Sequence, residues 1–313
     1  MKYVTCASKQ LSAMTIGTVQ LGMNYGIAND GGKPDEEKSF AMLRAAFENG
    51  LTSLDTARAY GTSEEVIGRF LKTWEGEVPF ITTKIPNYQG EDAGLEDYVV
   101  ESVELSLQRL GVEKVDAVML HSVTDMYKYG ERVAKATEKL LEKGYTDKVG
   151  VSIYTAEDID EMLKYPQYSV TQVPMSIFDQ RLIASGSIDK LKENNYTVFV
   201  RSVFLQGLFF LDPDRIEDPI LKEHAAPKIR LLREIAAKEN MTIAQLAIAF
   251  MRDTAGVTSL VLGADTPEQV KENIAYFDAP SLSDGVMARL REEFRNVDIP
   301  EIMKVLSRPK PQN

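Results

Sequence analysis

Short apolar runs, each followed by a stretch with helical spacing, limit what this chain can fold into more than any other feature. The runs lie near Met14–Thr18, Ser53–Asp55, Phe80–Lys84, Ala117–His121, Val149–Ser152, Ser169–Val173, Val198–Arg201 and Ser259–Leu262. They are too short for stable helices and apolar at consecutive positions, so they read as strands buried on both faces. Helical patterns separate them, at Glu36–Asn49, Ser63–Leu71, Leu95–Leu110, Arg132–Lys143, Ala156–Tyr165, Ser187–Asn194 and Leu231–Lys238. In Leu95–Leu110 the residues Leu95, Val99, Val103, Leu107 and Leu110 recur at the 3.6-residue period and share one face. Gly50, Gly111 and Gly144 stand where helix C-caps are expected. Eight strands alternating with helices make an α/β protein whose parallel sheet closes as a TIM (β/α)8 barrel.

The chain has 313 residues, and barrels of this size fold as one domain, so residues 1–313 are read as a single unit. Some pieces fall outside the eightfold repeat. Residues 2–12 are expected to form a hairpin under the barrel floor. Residues 203–228 are read as one long loop after the seventh strand, and loops of that length tend to be functional. Additional helices are expected at Thr242–Arg252 and Ser283–Arg295, and a frayed tail from Arg308.

A net charge of −11, from 47 acidic and 36 basic residues, argues against a nucleic-acid or anionic-membrane partner. Such partners demand clustered Lys and Arg. No run approaches the roughly 20 apolar residues of a membrane span, and the first residues do not read as a signal peptide. The single cysteine, Cys6, cannot form an intramolecular disulfide, which fits a reducing cytosol. A cytoplasmic location is therefore expected. With one cysteine and no close pair of histidines, no metal site is expected.

Four residues carry the chemistry. Asp55, Lys84 and His121 each end an apolar strand, and Tyr60 lies in the loop after the first of them. Function in a barrel sits at the C-terminal strand ends. A phenol has a pKa of about 10 and is a poor acid at neutral pH. An adjacent ammonium is expected to lower that pKa, and a carboxylate beside the ammonium keeps it charged. The phenol can then protonate an oxygen that is becoming an alkoxide, while a neutral imidazole donates to the same oxygen and orients the carbonyl. Taken singly, Asp55 could be a cap, Tyr60 a half-buried aromatic and His121 structural; the combination at successive strand ends favours a proton-donating site.

These positions and their spacing resemble the catalytic tetrad of the aldo-keto reductases. The resemblance runs from Gly17-Thr18-Val19 to Gly263-Ala264-Asp265-Thr266-Pro267-Glu268-Gln269. It implies a TIM barrel and an NAD or NADP cofactor as the hydride source, with Thr18 in the cofactor site. It also implies that Ser152 and Gln172 hold the nicotinamide carboxamide, although Ile153 stands where the family has Asn. Where the family stacks a Tyr on the nicotinamide, this chain has Arg201, followed by Ser202-Val203-Phe204-Leu205-Gln206-Gly207. A guanidinium can stack on a ring, and can equally reach the pyrophosphate or an anionic substrate. The Gln206–Gly207 turn resembles the loop that runs along the pyrophosphate, where glycine permits close approach.

The resemblance places the adenosine half of the cofactor against Gly263, Asp265, Thr266, Gln269, Glu272 and Asn273. Thr266 reads as an N-cap with Pro267 at the first helical position, and a helix N-terminus suits an anion. The family's cations for the 2′-phosphate are missing: Gly263 replaces a Lys, Gln269 replaces an Arg, and Asp265 adds a negative charge. An acidic side chain near the ribose favours a free 2′-hydroxyl. NADH is therefore expected to serve at least as well as NADPH.

Asn24, Tyr25, Tyr88 and Ser122, on loops after strands one, three and four, are candidate substrate contacts. Their polarity leans toward sugar-like or polyol-like carbonyls, although binding loops are polar in any case. The expected function is NAD(P)-dependent reduction of an aldehyde or ketone to an alcohol, or the reverse oxidation. The competing readings are a cofactor-binding regulatory subunit without significant turnover, and a barrel lyase or isomerase with no redox step.

Overall fold

Eight parallel strands close on one another, and each comes from one of the apolar runs. The computed structural model describes residues 1–24 and 32–308. An antiparallel hairpin, β1 (Tyr3–Cys6) and β2 (Lys9–Ser12), precedes the barrel. The barrel strands are β3 (Met14–Gly17), β4 (Ser53–Asp55), β5 (Phe80–Ile85), β6 (Val115–Leu120), β7 (Thr146–Ser152), β8 (Tyr168–Pro174), β9 (Thr197–Arg201) and β10 (Ser259–Leu262). They run round the barrel in chain order, and β10 pairs with both β9 and β3 to close it.

Side-chain alternation assigns the strand ends. Phe80, Ala117, Met119, Val170 and Phe199 form an inner core with Cys6 and Leu11 of the hairpin. The larger core, which includes Ile81, Ile85, Val118, Leu120, Val149, Val151, Val198 and Val200, lies between the strands and the helices. A period of two carries the inner set from Phe80 to Lys84, from Met119 to His121, from Val170 to Gln172 and from Phe199 to Arg201. All four therefore point into the mouth of the barrel. The floor is closed by the hairpin, where Lys9 bonds to the buried Asp116 of β6 at 2.9 Å.

The helices form where the patterns place them. The helix Leu95–Leu110 buries the expected face and ends at Gly111, whose φ of +67° makes it a left-handed C-cap. Gly50 and Gly144 also have positive φ, +90° and +71°. The additional helices are found at Ile243–Arg252 and Asp284–Phe294.

Other expectations need correcting. The segment 203–228 is not a plain loop. It contains a 3-10 stretch, Leu205–Phe210, a short helix, Pro219–His224, and the start of the helix Ala226–Lys238. Asp218 and Pro219 supply the start signal for the short helix: the Asp218 carboxylate accepts from the Ile220 and Leu221 amides. A further helix, Ile299–Leu306, follows the cap Asp298. Arg308 is tied down rather than frayed, because its guanidinium donates to Asp218 at 2.8 Å; the rest of that tail lies outside the described residues. Among the described residues no helix is long and apolar enough to cross a membrane.

Candidate active site

The centre of the site is a buried ion pair. Lys84 Nζ donates to Asp55 Oδ1 at 2.6 Å and to the Thr56 carbonyl at 3.0 Å. The two residues are 1% and 3% exposed. Asp55 Oδ1 also accepts from Gln172 Nε2 at 2.8 Å. Pairing strands bring these groups together: Asp55 lies opposite Thr82, two residues before Lys84, and also opposite Gly17. Burial disfavours the Lys84 ammonium, but the Asp55 carboxylate and the Tyr60 phenol outweigh it and raise the pKa, so Lys84 is held charged.

Tyr60 sits over this pair. Lys84 Nζ is 5.1 Å from the centroid of its ring. The Tyr60 backbone is fixed by a turn, its amide donating to Ala57 at 3.0 Å and its carbonyl accepting from Ser63 at 3.0 Å. Gly61 continues that turn at φ +55°. The pKa of the phenol differs from the expectation. Burial raises it, Lys84 lowers it, Asp55 raises it again, and the net direction is upward. The resting group is thus a protonated phenol, with the Lys84 charge in place to stabilise the phenolate left after proton transfer.

His121 follows β6, and its amide donates to the Ile85 carbonyl at 2.9 Å. Its ring meets the Tyr60 ring edge to face, with centroids 5.5 Å apart. Burial, then the charges of Lys84 and Arg201, lower its pKa to about 4. The imidazole is neutral at physiological pH and can donate a hydrogen bond without carrying charge.

A cleft of about 440 Å³ opens beside Asp55 and Tyr60. Such a volume is within the usual range for ligand sites. Thr18, Gln172, Arg201, Ser202, Gln206 and Gly207 line it, as do Gly263, Asp265, Gln269, Glu272 and Asn273. Thr18 locks the strand ends: its hydroxyl donates to the Asp55 carbonyl at 2.8 Å. Ser202, Gln206 and Gly207 all have positive φ, +65°, +56° and +96°, and Leu205 between them is at +46°. A run of left-handed non-glycine residues costs free energy and commonly marks a functional segment. The Asn273 side chain donates to the Gly263 carbonyl at 3.3 Å, and Gln269 accepts from the Asp265 amide at 2.7 Å. Thr266 caps the helix Pro267–Tyr276 as expected, its side chain accepting from the Gln269 amide.

Some expected contacts are not at this cleft. Ser152 and Thr266 do not line it, and Ile153 is fully buried in the outer core. Asn24, Tyr88 and Ser122 do not line it either. Asn24 Oδ1 accepts from the Lys33 amide at 2.7 Å, Tyr88 Oη donates to the Glu91 carbonyl at 2.7 Å, and Ser122 Oγ donates to Asn87 at 2.8 Å. Tyr25 lies outside the described residues.

The structure also adds residues to the site. Gln20 reaches the cleft from the short helix Val19–Gly22, and its Oε1 is buried without a hydrogen-bond partner among the described residues. A Cβ at Gly263 would fall 2.3 Å from Gln20 Nε2, so the absence of a side chain at 263 makes room for that amide. Phe204 and Phe210 form an aromatic pair at the rim, with centroids 5.1 Å apart. Tyr154 lies under the Arg201 guanidinium, 4.5 Å from Cζ to ring centroid. The only sequence signal for Gln20 was its position just after the Gly17-Thr18 strand end.

One structural feature fits a dinucleotide: the buried Gln20 Oε1, without a hydrogen-bond partner among the described residues, lines the same groove as Gly263, Asp265, Gln269, Glu272 and Asn273 and can accept from a bound ligand.

Comparisons with known proteins agree with the fold. A sequence model described as the aldo/keto reductase family matches residues 13–293. The L-glyceraldehyde 3-phosphate reductase of Escherichia coli K12 is 26% identical, over 96% of this chain and 94% of its own length. The NADH-specific methylglyoxal reductase of the same organism is 27% identical, over 90% and 94%. Among solved structures, a glycerol dehydrogenase from Gluconobacter oxydans superimposes with a TM-score of 0.78 at 22% identity, covering 99% of this chain and 98% of its own. At that identity the superposition speaks for the fold alone.

Proposed function

This chain belongs to the aldo/keto reductase family, and on that premise we propose that it is an NAD(P)H-dependent carbonyl reductase with Tyr60 as general acid. The observation that carries this reading is the buried Lys84–Asp55 pair set against the Tyr60 ring at the barrel mouth. Tyr60 Oη gives its proton to the substrate oxygen. Lys84 stabilises the phenolate that remains, and Asp55 keeps Lys84 charged and in place. His121, neutral at working pH, donates a second hydrogen bond that orients the carbonyl. When bound, a reduced nicotinamide supplies the hydride. In the oxidative direction Tyr60 acts as the base.

On this reading the chain's residues hold the cofactor along one groove. Gln172 shares Asp55 with Lys84, and so ties the carboxamide subsite to the ion pair. Gln206 and Gly207 run along the pyrophosphate, and the segment from Gly263 to Asn273 takes the adenosine. The cleft side chains from that segment include Asp265 and Glu272 and no Lys or Arg, which favours the free 2′-hydroxyl. NADH is proposed to work at least as well as NADPH. A hundredfold preference for NADPH in catalytic efficiency, about 2.7 kcal/mol, would overturn this. The Escherichia coli relative named NADH-specific is on the same side; a Schizosaccharomyces pombe relative, 25% identical, is named with NADP(+).

The relatives' names point to small polar aldehydes, one phosphorylated and one dicarbonyl. We take a small polar carbonyl as the substrate class, handled by a single-domain cytoplasmic enzyme. Cofactor oxidation with a panel of such aldehydes tests the reading. Tyr60→Phe is expected to keep cofactor affinity and lose about 10²–10⁴ in turnover. Tight cofactor binding with no turnover on any aldehyde would instead support a regulatory, cofactor-sensing role.

A further inference from the structure

Beside Asp55 and Tyr60 the cleft is lined by a cation, Arg201, that has no ion pair among the described residues. Nearby, Lys84 is matched by Asp55, and His121 is neutral. Arg201, at the end of β9, has no ion pair and no side-chain hydrogen bond among the described residues, and its Nη2 is buried without a partner. A guanidinium N–H removed from water and left unbonded costs free energy unless a ligand supplies the acceptor. The remaining charges make the position more unusual, because the chain as a whole carries −11.

The guanidinium is also held in place. Its Cζ lies over the Tyr154 ring, 4.5 Å from the centroid, and the residue's backbone carbonyl accepts from Met175 at 3.1 Å. A cation supported on its face by an aromatic ring keeps its in-plane N–H groups for a forked contact with a carboxylate or phosphate. Arg201 acts electrostatically on both Tyr60 and His121, so its charge is felt where the carbonyl would sit. Asp265 and Glu272, the acidic residues of the adenosine segment that line the cleft, belong instead to the helix Pro267–Tyr276 and the turn leading into it.

We propose that Arg201 is a substrate-anion receptor: the physiological carbonyl compound carries a carboxylate or phosphate that the guanidinium holds while the carbonyl oxygen meets Tyr60 and His121. This rests on the reading of Tyr60 as proton donor. The competing role, service to the cofactor by stacking or by pyrophosphate contact, predicts loss of cofactor affinity rather than of anion preference when Arg201 is replaced.

The test compares matched aldehydes at saturating cofactor: succinic semialdehyde against butanal for a carboxylate, and glyceraldehyde 3-phosphate against glyceraldehyde for a phosphate. The wild type should prefer at least one anionic member by about 10- to 100-fold in kcat/KM, as expected for a charge-assisted fork. Arg201→Gln should remove that preference, and Arg201→Lys should retain part of it. Comparing the two pairs shows which anion the site takes. No preference in the wild type, or a preference that survives in Arg201→Gln, overturns the proposal. So does a collapse of cofactor affinity in Arg201→Gln with the anion preference intact. A second readout needs no turnover: calorimetric titration of succinate and of inorganic phosphate into cofactor-loaded protein. Binding that Arg201→Gln abolishes supports the receptor even if no aldehyde is reduced, in which case only the Tyr60 reading fails. Equal binding by wild type and variant, or none to the wild type, counts against the receptor itself.

Discussion

Gly22 lies so close to Tyr60 that a Cβ on it would fall 1.6 Å from the Tyr60 carbonyl oxygen and 2.7 Å from the Ser63 amide. The contact is reciprocal: a Cβ on Gly61 would fall 2.4 Å from the Gly22 carbonyl. Two glycines thus let the short helix Val19–Gly22 press directly on the turn that carries the candidate acid. We predict that Gly22→Ala moves that turn. Overpacking of this kind should cost about 1–3 kcal/mol and lower turnover by at least about tenfold, because a small displacement of a catalytic group is costly. Gly144→Ala is the control. Unlike Gly22 it has positive φ, and among the described residues nothing lies within 4 Å of its would-be Cβ, so it should lose about 1 kcal/mol from the backbone alone and no turnover. Denaturant midpoints and kcat for both variants decide the matter; wild-type turnover in Gly22→Ala would rule out this positioning role.

The Lys84–Asp55 pair makes a different prediction. Removing one partner of a buried pair strands the other charge. Asp55→Asn should therefore cost about 3–5 kcal/mol of stability, and Lys84→Met should also be costly. The double variant should be less destabilised than the sum of the two, since neither charge remains. Strict additivity in equilibrium unfolding would mean that the two side chains do not act as a pair.

The parts of this molecule that were legible in its sequence share a physical cause. Strands of a closed parallel barrel are buried on both faces, so β5, β6 and β9 appear as apolar runs, and a Lys, His or Arg at the end of such a run stands out. Caps were legible for the same local reason at Gly111 and Thr266. Features that depend on tertiary contact were hidden. Gln20 sits on a four-residue helix, too short to show a period. The left-handed backbone at Leu205 and Gln206 has no compositional signal, because those residue types rarely adopt it. The Tyr60 pKa moves opposite to the sequence expectation because the neighbouring ammonium is legible from spacing, whereas the depth of burial is not.

His121 gives the protein a pH-dependent stability term with a definite sign. Its folded pKa, about 4, lies below the reference value of 6.5. The folded state therefore resists protonation that the unfolded chain accepts. The associated stability is complete above pH 6.5, declines as the pH falls, and is lost by about pH 4. Its size is on the order of 3 kcal/mol. We predict that wild-type unfolding free energy falls more steeply than that of His121→Asn between those limits, with parallel curves above pH 7. Curves parallel throughout would show that burial does not depress this imidazole.

The contact between Gly263 and Gln20 predicts how cofactor choice can be changed. A side chain at 263 would begin 2.3 Å from the Gln20 amide, which is itself only 8% exposed. Gly263→Lys alone must therefore push Gln20 aside before its ammonium can reach a 2′-phosphate. We predict little gain toward NADPH from that single change. Combining it with Gln20→Ala opens the space. The double variant should then improve the NADPH-to-NADH ratio of catalytic efficiencies by about tenfold or more, the value of one charge-assisted hydrogen bond of about 1.5–3 kcal/mol. Steady-state kinetics with both cofactors on wild type, each single variant and the double variant form the required cycle. If Gly263→Lys alone delivers the whole switch, the Gln20 amide does not restrict the site. If neither the single nor the double variant shifts the ratio, position 263 does not face the 2′ oxygen, and the assignment of the adenosine segment fails with it.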